Sequence, residues 1–159
     1  MSAPSKSYAA LAGLELGCSD WHVITQDQID LFAKASFDPD PMHIDPEHAG
    51  AGPFGSTIAF GFQTMALLTF FSHQVFDKWT DKIPELGYAL NYGFNRVRMI
   101  SPVRVNSRVR GRFKIVDAAP RADDGTRLTL EASVELEGSD KPALIAEWLF
   151  VGYPAPQTG

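Results

Sequence analysis

A single cysteine, Cys18, excludes an internal disulfide and any paired thiol chemistry within the chain. No apolar run is long and clean enough to span a bilayer. The strongest, "TIAFGFQTMALLTFFSHQVF" at residues 57–76, is broken by Gln63, Thr64, Thr69 and Ser72. The opening "MSAPSKSYAALAGLELG" lacks a sustained apolar core, with Glu15 interrupting it, so a reducing, cytoplasmic setting is expected. Positive charge is also in deficit: 14 Lys and Arg against 19 Asp and Glu, net -5. That balance gives no long-range attraction for nucleic acid or phosphate-bearing ligands, and any anionic partner must be held by local arginines. No internal repeat or linker-like run divides residues 1–159, which are read as one domain. With 45% hydrophobic and 21% charged residues, the composition is that of an ordinary globular protein.

What is present is patterned. "SDWHVI" reads as a short strand. From Thr25, "TQDQIDLFAKAS" spaces Ile29, Leu31, Phe32 and Ala35 near helical period, and Thr25 and Gln28 stand in the relation of a capping box. The Asp-Pro pairs at 38–39 and 40–41 push the residue before each proline out of the helical region, predicting an extended, stiff loop. Asp45-Pro46-Glu47 then predicts one short helical turn through Ala49. The apolar segment from Thr57 reads as a helix wrapped by protein on most of its surface. In "RVRGRFKIV" and "RLTLEASVELEG" apolar and polar residues alternate strictly, and the intervening "PRADDGT" carries an Asp-Gly turn signal. These two strands should pair antiparallel, a basic outer face beside an acidic one. Further strands are expected at "LGYALNYGFNRVRM" and "ALIAEWLFVGY". The result is an α+β plan in which a sheet curls round a long helix.

Chemistry concentrates in "DPDPMHID", residues 38–45. Histidine, with an ordinary pKa of roughly 6.5, can take a proton from water near neutral pH, and a nearby carboxylate can orient it or exchange a proton. Asp38 and His43 are therefore a candidate acid-base pair. On these residues alone, Asp-Pro turn chemistry and a surface histidine are the alternative. His43-x-Asp45-x-x-His48 also has metal-ligand atoms, but no second His/Cys cluster completes a site and Asp45 is needed as a helix cap, so no metal or cofactor is expected. Were the long helix to begin near Thr57, Gly61 would lie in or just past its first turn, where a main-chain N–H can stabilise an oxyanion or enolate. Close packing against the sheet is the other explanation for that glycine. Phe60 and Phe62 flank it and are candidates for a pocket entrance. Arg96 and Arg98 are freer to meet a phosphate than the arginines at 108, 110 and 112, whose alternation marks a charge-paired face.

Taken together, these segments resemble the MaoC-like dehydratases, the (R)-specific enoyl-CoA hydratase group, and more closely their NodN-like branch. The family pattern of a small residue, then Gly-Asp-x-Asn-Pro-hydrophobic-His-x-Asp, looks like "SFDPDPMHID". "GPFGSTIAFGFQTMALL" is similar to the family segment ending in His-Gly at the start of the central helix. "NYGFNRVRMISPVRVNSRVRGR" resembles its strand, Pro-Val turn and next strand, so the likeness covers about residues 19 to 116. It implies a hot-dog fold, usually a homodimer, and reversible addition of water to a trans-2-enoyl thioester carried on CoA or an acyl carrier. It implies His43 as the base toward water, Asp38 as the group that orients the water and protonates the alpha carbon, and the Gly61 N–H as the donor to the thioester carbonyl. Thr69 matches a position where a hydroxyl often supports the acid. Phe37, Asp40 and Phe60 depart from the usual glycine, asparagine and histidine. A non-catalytic acyl-thioester-binding or assembly subunit and an acyl-CoA thioesterase are the competing readings.

Overall fold

The structure, a computed structural model, describes residues 8–82 and 86–154. A 3-10 turn, Tyr8–Leu11, precedes two short strands, β1 (Glu15–Cys18) and β2 (His22–Val23). Helix α1 (Gln26–Ser36) starts at the expected capping box: the Thr25 hydroxyl accepts from the Gln28 N–H, and the Gln28 side chain accepts from the Thr25 N–H, each at 3.3 Å. Ile29 and Ala33 face the core, Phe32 is half-buried, and Leu31 points to solvent. Two short helices follow, α2 (Pro41–Ile44) and α3 (Pro46–Gly50), and then the long helix α4 (Gly61–Asp77).

The stretch 38–45 is thus not extended throughout. Asp40 does to Pro41 what Asp45 does to Pro46: its carboxylate accepts the Met42 N–H at 2.9 Å, and the proline occupies a first-turn position where no N–H is needed. Asp45 has two roles, as C-cap of α2 and N-cap of α3.

The four long strands are β3 (Leu86–Met99), β4 (Arg108–Pro120), β5 (Thr126–Leu136) and β6 (Leu144–Pro154), close to the four segments expected as strands. All pairings are antiparallel in the order β1-β4-β5-β6-β3, with β2 also on β4. The β4–β5 pair has the expected outer face. Arg110 and Arg112 reach Glu135 at 2.6 and 2.7 Å, and Arg108 reaches Glu137 at 2.7 Å. Burial by itself raises the Glu135 carboxyl, but the hydrogen bonds from Arg112 and Arg110 outweigh it and hold the group below its ordinary range.

Helix α4 lies on the other face of this sheet. It packs Leu68, Phe71 and Val75 into one core with Val109, Phe113, Ile115, Leu130 and Val134, and buries Gln63, Thr64 and Ser72 as well. Gly111 makes the close approach possible: a Cβ there would stand 2.5 Å from the Phe71 Cβ. Phe62 and Phe70 remain exposed, so α4 is less fully enclosed than its composition suggests. One chain's sheet covers one side of the helix. A long helix against a curved, six-stranded antiparallel sheet is the hot-dog arrangement.

Candidate active site

The site begins where α1 stops. Phe37 closes the helix in the left-handed region (φ 59°), donating its N–H to Ala33, and the Asp38 N–H reaches the same carbonyl at 3.2 Å. The chain then turns sharply, and Asp38 Oδ1 accepts the Asp40 N–H at 3.1 Å. Asp38 itself is exposed. The left-handed C-cap and the Asp40 cap after it fold the four residues between Asp38 and His43 into a bend.

His43 is buried, with 8% of its surface exposed. Its Nδ1 lies 2.7 Å from the Ile58 carbonyl oxygen. A carbonyl only accepts, so Nδ1 carries a proton, and in the neutral ring the lone pair is therefore on Nε2. The face of the ring lies against Phe60, centroids 3.8 Å apart and planes inclined by 31°. Gln26, on α1, fixes the surrounding backbone: its Nε2 donates to the His43 carbonyl and to Asp30 Oδ1, both at 2.8 Å, while its Oε1 accepts from the Thr57 hydroxyl at 2.5 Å. Neither Gln26 nor Thr57 stands out in the sequence, because a side-chain amide bridging residues 31 positions apart leaves no local pattern.

Residues 57–60 are extended. Ala59 N–H donates to Val103 at 2.7 Å and Val105 N–H to Thr57 at 3.0 Å, with Ile58 bridged to Arg104. Those bonds delay the start of α4 to Gly61 rather than Thr57, and place Gly61 at the first helical position. Phe60, the N-cap, offers no side-chain acceptor to the free N–H groups there. Gly61 has no left-handed φ to require glycine, and a Cβ would meet only the flexible Met99 side chain at 3.4–3.6 Å. A Cβ would therefore fit in ordinary contact with Met99, and neither backbone strain nor crowding accounts for the glycine. A buried imidazole with a free Nε2 and an uncapped main-chain donor are held by one short segment, an arrangement suited to taking a proton from water while charge develops on a carbonyl oxygen.

The other candidates are placed as follows. Phe60 is buried on His43, whereas Phe62 is exposed at the helix start. Thr69 stands on the exposed side of α4, two turns beyond Gly61. Arg96 and Arg98 pair in register with Glu147 and Ile145, hence share the outward face of the sheet, opposite α4. There Arg96 borders a cleft of about 490 Å³ with Arg112, Lys114, Glu131 and Glu147. The structure does not bring these two arginines to His43. Asp45 caps α3, accepting from the Glu47 and His48 N–H groups at 3.0 Å each. Among the described residues no group of three or more His, Cys, Asp or Glu is arranged to hold a metal ion.

Comparison with known proteins agrees with this fold. The family model for the MaoC like domain matches residues 8–136. A 3-hydroxyacyl-thioester dehydratase Z of Mycobacterium tuberculosis is 45% identical over 139 residues, covering 87% of this chain and 89% of that protein. Nodulation protein N of Rhizobium meliloti is 41% identical over 150 residues, covering 94% and 91%. Among solved structures, a monoamine oxidase regulatory protein from Archaeoglobus fulgius superimposes with a TM-score of 0.76 at 19% identity, covering 98% of this chain and 100% of that one. Motif spacing, a long helix on a curved antiparallel sheet and the matched family model converge: the chain belongs to the MaoC-like dehydratase family.

Proposed function

We propose that the protein is an (R)-specific hydratase/dehydratase acting on trans-2-enoyl thioesters carried by CoA or an acyl carrier protein. In the hydration direction His43 Nε2 takes a proton from water as the water oxygen bonds to C3. Electrons of the C2=C3 bond shift toward the thioester oxygen, where the Gly61 N–H stabilises the enolate. Asp38 orients the water and delivers a proton to C2, and the proton held by His43 returns to Asp38 to reset the pair. Dehydration is the same path reversed.

The single observation supporting this reading most is the imidazole: buried, with Nδ1–H committed to the Ile58 carbonyl and Nε2 free. The name borne by the mycobacterial relative points to the same class of reaction. The working unit is a homodimer. β3 is the end strand of the sheet, and Tyr88, Leu90 and Tyr92 on it are each more than half exposed; among the described residues no strand pairs its free edge. The exposed Phe62 and Phe70 of α4 add to the surface a second copy would cover.

Loss of enoyl absorbance from crotonyl-CoA and longer enoyl-CoAs tests the chemistry. His43→Ala and Asp38→Asn should each lower turnover by about a hundredfold or more with the fold retained. Parent-like rates in both variants would overturn the assignment. Thiol release in place of hydration, read with a thiol-reactive dye, would indicate a thioesterase.

A further inference from the structure

We infer that Phe60 is a positioning residue for His43, and that it locks the base to the main-chain donor beside it. The inference rests on the hydration reading above and adds the element that holds its geometry. A hydrogen bond from Nδ1 to Ile58 constrains one point of the imidazole but leaves the ring able to tilt through coupled changes of its two side-chain torsions. A close ring-on-ring contact removes that freedom. Phe60 supplies it at a centroid separation of 3.8 Å, and is itself only 3% exposed and packed on Phe32 at 5.2 Å.

Both constraints come from one extended segment. Ile58 presents the carbonyl and Phe60 the ring, while the residue between them, Ala59, is bonded to Val103 at 2.7 Å. Phe60 is also the N-cap of α4: its carbonyl accepts the Thr64 N–H at 3.0 Å and the Thr64 hydroxyl at 3.1 Å. The next amide in the chain is that of Gly61. Rotation of the Phe60 ring is therefore opposed by packing, and its backbone by the sheet-like segment on one side and the helix on the other. Nε2 and the Gly61 N–H are held in a fixed relation through one residue. Since misplacing a reacting group by about 1 Å can cost on the order of a hundredfold in rate, this contact sets kcat more than binding.

The aromatic face predicts a spectroscopic signature that needs no turnover. In the parent, the His43 ring protons should resonate upfield of those of an exposed histidine, shielded by the Phe60 ring; Phe60→Leu should abolish the shift, whereas Phe60→His, which restores the family's usual ring, should keep a shielded His43. Kinetically, Phe60→Leu should lower kcat on crotonyl-CoA by about tenfold or more with KM within about twofold, and Phe60→His should recover most of that loss. A folded Phe60→Leu with parent kcat would sink the inference, as would a parent His43 with unshifted ring protons. Should Phe60→Leu not fold, the parent spectrum and the Phe60→His rates decide in its place. His43→Ala is run beside them: if it is as active as the parent, the base assignment has failed, whereas an inactive His43→Ala with a fully active Phe60→Leu removes only the role given to Phe60.

Discussion

Adding one methyl group at Gly111 tests how tightly α4 is pressed on the sheet. The Cβ of Gly111→Ala would lie 2.5 Å from the Phe71 Cβ and 2.7 and 2.9 Å from the Phe113 ring atoms Cε2 and Cζ. Carbon atoms pack at about 3.5–4.0 Å, so roughly 1 Å must be found. Phe113 is buried and has no open side to turn into. The Phe71 Cβ is fixed to the helix backbone, so the helix must move or the strand must. Retreat of the strand is resisted because the Ser19 N–H donates to the Gly111 carbonyl at 2.9 Å and the Gly111 N–H donates to the Ser19 hydroxyl at 3.0 Å. Overpacking of a tight core costs about 1–3 kcal/mol, and with both partners anchored the cost belongs near 3. For a chain of this size that lowers Tm by about 6–12 °C. Denaturant titration should show a lower midpoint at unchanged slope. Gly50→Ala is the control, since a Cβ there meets nothing within 4 Å and the stability should stay within about 0.5 kcal/mol or rise. A loss below about 0.5 kcal/mol for Gly111→Ala would refute the claim that this glycine sets the helix-to-sheet distance.

Two further outcomes follow from groups left without partners. Leu90→Lys places a charge on the exposed edge strand, so the variant should sediment as a 17.4 kDa monomer while the parent sediments at twice that mass; a monomeric parent at micromolar concentration would remove the dimer from the reading. Gln63 buries an Oε1 with no hydrogen-bond donor, and Gln63→Met, of similar volume, should raise stability by about 1–3 kcal/mol in denaturant titration; destabilisation would mean that the carbonyl is satisfied in solution.

Where side chains alternate or recur at helical spacing, the sequence alone located the elements: β4, β5 and α1 fall close to their predicted spans, because burial on one face imposes a period on the residues, and β3 and β6 fall where further strands were expected. Features set across the chain were not legible. Strand β1 was missed because Gly13 and Gly17, both with left-handed φ, break its alternation and accompany a bulge between Glu15 and Gly17. The side on which Arg96 stands could not be counted from Phe94. Phe94 pairs with Trp148 and Arg96 with Glu147, so a register shift between them turns two residues that alternation would put on one face to opposite faces. Phe60 was placed beside Gly61 by the sequence, yet its contact with His43, 17 positions earlier, required the fold.

The departures from the family pattern have unequal physical weight. Asp40 stands where the family has asparagine, and the two residue types are equally good N-caps, so the bond from Met42 to its carboxylate keeps the α2 turn and the His43 backbone in place. Phe37 is different. It holds a left-handed backbone that costs a residue with a side chain roughly 1–2 kcal/mol and glycine almost nothing, while its own side chain is 91% exposed and gives little burial in return. Within one chain that arrangement is purely a cost. It becomes reasonable only if the ring, standing next to Asp38, is covered by a ligand or a second copy, so the exposed Phe37 marks a surface that is used in a complex.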